Sequence, residues 1–185
     1  MKNSLRKIVL AVMMTVAPLV ASEYTFQTHS LFAIEGGMSS INTEYIGGKY
    51  DDKEMGNLGL KIGAQSENYR VFLSARYYDV ADLSTLNTYG AEFQYLFNFS
   101  EIANFYIGAN GGVANANAKR QGLSSDAQSE MYYGGDAGFN IHATELIDLE
   151  IGARYMAIQD LITNNVSVDS ITTVYASVII KWEMD

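Results

Sequence analysis

Apolar and polar residues alternate along eight segments of the chain, and Gly, Asn, Asp and Ser are common between the segments. A period of two predicts β-strands, and the intervening residues favour turns. Strands of soluble proteins average about 5–6 residues, whereas a tilted strand needs about 9–11 residues to cross a bilayer. The segments have this greater length and predict eight membrane-spanning strands: Phe32–Ser40, Asn57–Gln65, Tyr69–Tyr78, Thr88–Asn98, Phe105–Asn115, Met131–His142, Ile147–Ala157 and Thr172–Trp182.

One face of these strands is apolar and uncharged. The third segment shows it clearly, with Val71, Leu73 and Ala75 between Tyr69 and Tyr77. The two tyrosines are separated by about 20 Å of height at about 3.3 Å per residue and a 40° tilt, which suits the two aromatic girdles of a membrane barrel. We predict that a girdle of this kind includes Tyr69, Tyr77, Tyr89, Phe97, Tyr155 and Trp182.

The opposite face carries the ionisable side chains. We predict a charge network in the barrel interior, formed by Glu35, Lys61, Arg70, Arg76, Glu92, Asp136, Glu150, Arg154 and Lys181. Isolated charges in a narrow interior are costly, so these groups should pair and fill the barrel. A gated ion path, in which the pairs exchange partners, is the alternative. Asp148 has the same parity but lies at a strand end, and we expect it at the rim.

The distribution of charge decides between two kinds of barrel. A soluble barrel, such as a lipocalin-like carrier, has an apolar interior and a charged exterior. The inverse pattern is typical of a strand that faces lipid on one side and a polar interior on the other. The sequence therefore favours an all-β, eight-stranded antiparallel up-and-down transmembrane barrel.

The predicted connections alternate in length. Ser66–Asn68, Phe99–Asn104 and Ala143–Leu146 are short, whereas the other four connections are longer: Ile41–Gly56, Asp79–Asn87, Ala116–Glu130 and Ile158–Ile171. Outer-membrane barrels alternate short periplasmic turns with longer extracellular loops. We therefore expect both chain termini in the periplasm.

The first 22 residues, MKNSLRKIVLAVMMTVAPLVAS, have the pattern of a cleavable signal peptide. Three basic residues precede an apolar run, and small residues mark the cleavage site. The predicted division is a signal peptide at 1–22 and an outer-membrane β-barrel domain at 23–185. The chain of 185 residues contains no cysteine, which excludes disulfides and thiolate metal sites. Its net charge of −9 argues against a nucleic-acid partner.

The segments YRVFLSARYY, YGAEFQYLFNF and YYGGDAGFNI, together with the alternating connections, resemble the small OmpA/OmpX-type outer-membrane barrels of Gram-negative envelopes. This resemblance implies an integral, multi-pass outer-membrane protein. Such barrels commonly end on an aromatic residue that the assembly machinery reads, whereas here Trp182 is followed by three further residues. The peptidoglycan-binding domain of some relatives is not expected.

Candidate chemistry outside the charge network is sparse, and no catalytic residue, cofactor-binding residue or metal ligand is predicted. Nothing in the sequence fixes a nucleophilic hydroxyl next to His29 or His142. The hypothesis of a lipid A-modifying enzyme is therefore less favoured. The acidic stretch Tyr50–Glu54 lacks the loop spacing of a calcium site. We expect a monomeric, non-enzymatic barrel with a structural, envelope-integrity or surface-interaction role. Its partners would be outer-membrane lipids and the assembly machinery, and its extracellular partner is not defined; a narrow porin-like channel is the alternative.

Overall fold

Eight antiparallel strands form a closed barrel in the computed structural model, which describes residues 29–45, 50–79, 85–118, 126–163 and 166–183. The predicted signal peptide lies outside these residues. The strands are β1 (His29–Tyr45), β2 (Tyr50–Gln65), β3 (Tyr69–Tyr78), β4 (Thr85–Asn98), β5 (Ala103–Ala118), β6 (Asp126–His142), β7 (Ile147–Thr163) and β8 (Val166–Glu183). The predicted fold class is confirmed. None of the described residues forms a helix that is long and apolar enough to cross a membrane.

Each strand pairs with its neighbours in the sequence, and β1 pairs with β8 to close the sheet. The closing ladder runs from His29 opposite Glu183 to Tyr45 opposite Val166. Closure gives every strand a partner on both sides and removes the exposed edges that cannot exist in lipid.

The barrel has two distinct ends. The turn end carries the connections at 66–68, 99–102 and 143–146, together with the first residue of β1 and the last residue of β8. In the last of these turns, the Thr144 hydroxyl accepts bonds from the backbone N–H groups of Leu146 and Ile147 at 3.2 and 3.0 Å. This use of a hydroxyl in place of a backbone acceptor stabilises a tight turn. The other end is called the loop end.

Seven of the eight strands are longer than the sequence predicts, and most of the added length lies at the loop end. The predicted connection Ile158–Ile171 is wrong, because β7 and β8 remain paired as far as Thr163 opposite Val166. The stretch Tyr50–Glu54, which the sequence places in the predicted loop Ile41–Gly56, likewise belongs to β2. The apolar outer face ends with the belt, so the strands continue without the pattern that reveals them, although inward residues such as Ile41, Met55 and Ile158 remain buried.

Pairing at the loop end divides the wall into two projecting sheets. Among the described residues, the ladder between β2 and β3 stops at Asn57 opposite Tyr78, and the ladder between β6 and β7 stops at Tyr132 opposite Ile158. The neighbouring ladders continue further. One sheet therefore contains β7, β8, β1 and β2, and the other contains β4, β5 and β6.

Candidate functional site: the barrel interior

The outer face of the barrel is an apolar belt. Leu73, at the middle of β3, is 60% exposed, and Leu58, Ile151 and Val174 are exposed to a similar degree. The six residues predicted for an aromatic girdle are all exposed on this face. Tyr69, Phe97 and Trp182 lie towards the turn end, whereas Tyr77, Tyr89 and Tyr155 lie towards the loop end. A soluble carrier with an apolar interior and charged exterior is therefore excluded.

Ring contacts join the aromatic residues near the turn end across four neighbouring strands. Tyr69 on β3 contacts Tyr95 on β4 with 5.2 Å between ring centroids, and Tyr95 contacts Phe97 at 4.7 Å. Phe97 then contacts Phe105 on β5, which contacts Phe139 on β6 at 5.2 Å. The separations are typical of favourable aromatic pairs. Apart from Tyr69 and Phe97, the members of this chain were not singled out from the sequence.

Glu35 is the hub of a central charge cluster, which comprises Glu35, Lys61, Arg70, Arg76, Glu92, Glu150 and Arg154. Arg154 donates two bonds to Glu35, at 2.7 and 2.9 Å. Arg76 donates through Nε at 2.9 Å, and Lys61 Nζ lies 3.2 Å from the same carboxylate. Three cations from three strands thus converge on one buried carboxylate.

The remaining members of the central charge cluster extend this hub in both directions. Glu92 pairs with Arg76 and lies 3.6 Å from Arg154. Glu150 accepts a bond from Lys61 at 2.8 Å and pairs with Arg70. All seven side chains have no exposed surface. Because each charge has an opposite partner, burial in a low-dielectric interior is tolerated.

Asp136 is held differently. Gln94 and Asn110 donate to its carboxylate, and Gln94 in turn accepts a bond from Arg70 Nε at 2.7 Å. The side-chain amide of Gln94 therefore bridges Arg70 and Asp136 by hydrogen bonds.

Asp148 corrects the sequence interpretation. It was expected at the rim, but it is fully buried. Lys181 donates to it at 2.7 Å, and His142 Nδ1 lies 2.8 Å from the same oxygen. Strand parity, rather than proximity to a strand end, determines which side of the wall Asp148 occupies. With Asp148 included, the central and turn-end parts of the described interior hold five carboxylates and five Lys or Arg side chains, of which Lys181 is only 11% exposed.

An apolar layer covers the central charge cluster on the side of the loop end. We call it the loop-end plug, and its buried residues are Ile41, Met55, Tyr78, Leu86, Ala114, Ala116, Tyr132, Met156, Ile158, Val168 and Ile171. They come from all eight strands. The inward parity of Met156 indicates in the sequence that such a side chain fills the interior, but the other members of the plug are not predicted. A smaller apolar group, Leu31, Ala33, Phe72 and Ile179, lies towards the turn end.

The two histidines do not form a hydrolytic site in the described residues. His142 contacts Asp148 and, at 3.4 Å, the amide of Asn104. The Thr144 hydroxyl that follows it accepts backbone bonds in the turn instead. No group of three or more His, Cys, Asp or Glu side chains within the described ranges is arranged to hold a metal ion.

The fold is that of small outer-membrane barrels. No family model and no curated protein matches the chain. Neisserial surface protein A (NspA) is 20% identical, with a TM-score of 0.66 over 82% of this chain and 97% of that one. Ail of Yersinia pestis is 15% identical, with a TM-score of 0.54 over 83% and 99%. The outer membrane protein OprG of Pseudomonas aeruginosa is 16% identical, with a TM-score of 0.53 over 88% and 100%.

At these identities the similarity establishes the architecture alone. The predicted resemblance to small eight-stranded outer-membrane barrels is confirmed at that level.

Proposed function

We propose that this chain is a non-enzymatic, monomeric protein of the Gram-negative outer membrane. It contributes to envelope integrity and presents its two projecting sheets to partners outside the cell. The single observation that carries the proposal is the inverted barrel, which is apolar on its exposed face and ionic inside.

The apolar belt supports membrane residence. Soluble monomers rarely expose contiguous apolar patches larger than a few hundred Å². Here the outward side chains of all eight strands are apolar between the two aromatic levels, so the belt surrounds the barrel. Burial in lipid removes this surface from water at about 25 cal/mol per Å². Lipids of the outer membrane are therefore the first partners.

The turn end is proposed to face the periplasm. Its three connections are short, as periplasmic turns are, and the longer hairpins then project outwards. Trp182 lies on the outer face close to the end of β8 and is the aromatic residue available to the assembly machinery.

The interior supports a structural role over conduction. The members of the central charge cluster pair with one another, and the loop-end plug places apolar side chains from every strand in the path. An eight-stranded barrel has an interior just wide enough for its own side chains to fill. The shared contacts of Glu35 would permit exchange of partners, which makes a gated ion path the second candidate.

Planar-bilayer recording of the purified protein separates these two functions. We expect no reproducible unitary conductance, and none from the outer-face control Val178→Ala. The proposal would be overturned in favour of a channel if the protein gave stable unitary steps of conductance and Arg154→Gln changed their ion selectivity.

A further inference from the structure

Two of the three connections at the turn end carry large apolar side chains that are exposed. Phe99 and Ile102, in the connection at 99–102, are 64% and 69% exposed, and Leu146, in the connection at 143–146, is 60% exposed. We call these connections the two apolar turns. Turns that face water are dominated by Gly, Pro, Asn, Asp and Ser, so this composition points to a surrounding other than water.

The first apolar turn extends the apolar belt. Phe99 follows the outward residue Phe97 by two positions, which corresponds to about 5 Å of height at about 3.3 Å per residue and a 40° tilt. The carbonyl of Ile102 accepts a bond from the backbone N–H of His142 at 2.8 Å, so this turn adjoins the end of β6. Ile141, the last outward residue of β6, is itself exposed. The apolar surface thus continues from β4 to β6.

The second apolar turn joins this surface to β8. The carbonyl of Leu146 accepts a bond from the backbone N–H of Lys181 at 2.8 Å, and Ile147 lies opposite Ile180 in the ladder between β7 and β8. Ile147 and Ile180 are both exposed on the outer face. The apolar surface therefore follows the turn end across five strands, from β4 to β8, and ends near Trp182.

The remaining side of the turn end is polar. The connection at 66–68 consists of Ser66, Glu67 and Asn68, and Asn98 donates its side-chain amide to the Glu67 carbonyl at 2.9 Å. On β1, the last outward residue at this end is Ser30. The apolar belt therefore reaches further towards the turn end on β4–β8 than on β1–β3.

Both apolar turns also provide partners for their own backbone donors. The Ser100 hydroxyl accepts a bond from the Ile102 N–H at 3.2 Å, and the Thr144 hydroxyl accepts bonds from the N–H groups of Leu146 and Ile147. A backbone group that enters a bilayer must be satisfied within the protein, because no water is available to it there. The local hydrogen bonding therefore fits a surrounding of lipid, as the apolar side chains do.

We propose that the two apolar turns are immersed in the phospholipid leaflet on the turn-end side, whereas the connection at 66–68 lies in water. Lipid is the occupant because the surface continues the belt that is proposed to contact lipid. Glu101 and Glu145, one exposed carboxylate in each apolar turn, limit the depth, since a charge within the hydrocarbon is costly. This inference rests on the proposed membrane residence and adds that lipid covers the barrel further on the side of β4–β8.

Tryptophan fluorescence in phospholipid vesicles tests the depth of each turn. The chain has one tryptophan, so Trp182→Phe supplies a background without tryptophan. In that background Phe99→Trp and Leu146→Trp report on the two apolar turns, Asn68→Trp is the matched control on the polar turn, and Val178→Trp reports on the middle of the belt. Each variant is used as folded protein, identified by a change in gel mobility on boiling.

Phosphatidylcholine brominated close to the headgroup should remove most of the fluorescence at positions 99 and 146 and little at 68. Acrylamide, which is dissolved in the water, should show the opposite order. If the background does not fold, nitroxide labels on single cysteines at the same three positions, with Trp182 retained, give the same comparison through collision with oxygen and with a nickel chelate.

Equal lipid quenching at the three turn positions, or strong acrylamide quenching at 99 and 146, would overturn the inference. If Val178→Trp were still quenched by lipid, membrane residence itself would stand, whereas loss of lipid quenching there as well would overturn the proposed function too. Protection from both quenchers at 99 and 146 that disappears when the protein is diluted with more lipid would assign the surface to a second copy of the chain and overturn the inference.

Discussion

Gly152 shows how one residue shapes the interior. A Cβ atom at this position would lie 2.1 Å from the hydroxyl of Tyr106 and 2.9 Å from that of Tyr175. The two hydroxyls contact each other at 2.7 Å, directly above the glycine. Glycine therefore permits the close approach of two rings to the wall. The sequence places Gly152 on the charged face, but the rings that need the space come from β5 and β8.

Replacing Gly152 by Ala should destabilise the barrel by about 1–3 kcal/mol, since overpacking displaces side chains that have no free space. Urea unfolding into and out of lipid vesicles measures the change. Gly36→Ala is the control, because a Cβ atom there has nothing within 4 Å. Equal stability of the two variants would show that the tyrosine pair is not packed against β7.

Glu35 is the residue whose removal should disturb the ionic interior most. Glu35→Gln leaves Arg76, Arg154 and Lys61 without their shared carboxylate, and breaking a buried pair costs about 3–5 kcal/mol. The same vesicle assay applies. Glu54→Gln, on an exposed side chain of β2, should change stability by about 0.5 kcal/mol or less. If both variants lost a similar amount of stability, Glu35 would not be the hub of the central charge cluster.

Among the elements, the strands could be predicted from the sequence only where they cross the apolar belt. β3 begins and ends where the pattern predicts, because lipid on one side and ionic groups on the other mark its whole length. β7 and β8 extend beyond Ala157 and Thr172, where the apolar outer face of the belt ends, although Ile158, Val168 and Ile171 are buried there. The contrast between an apolar outer face and a charged inner face does not reveal that part. The register shift between Ala157 and Leu161 removes the period of two as well.

An arginine introduced at two different heights of the outer face tests where the apolar belt lies. Val178→Arg, on the outer face of β8, should reduce stability by about 2–4 kcal/mol, the cost of a guanidinium near the bilayer midplane. Ser129→Arg, on an exposed position of β6 beyond Tyr133, should cost about 0–1 kcal/mol. Folding titrations in vesicles compare the two. A reversed order would mean that the belt lies elsewhere on the wall.

At the scale of the whole molecule, closure and charge balance are linked. Strand parity predicts the side of the wall for the charges of the central and turn-end interior, and among the described residues there the acids equal the Lys and Arg side chains in number once Asp148 is included. The partners within that interior could not be predicted, since Glu35 and Arg154 are 119 positions apart and meet only when closure pairs β1 with β8, the neighbour of β7. The loop-end plug depends on the same closure. Its members come from all eight strands and adjoin only in the finished barrel.

The central claim is that the uncharged face contacts lipid and the charged face contacts protein, and spin labels along β8 test it most directly. The chain has no cysteine, so single labelled cysteines can be placed at Thr173, Val174, Ala176, Ser177, Val178 and Ile180. In liposomes, collision with oxygen, which concentrates in lipid, should be frequent at 174, 176, 178 and 180 and rare at 173 and 177. The account would be contradicted if the spin labels at those four positions collided frequently with a water-soluble nickel chelate, and if the oxygen collision rate did not alternate along β8.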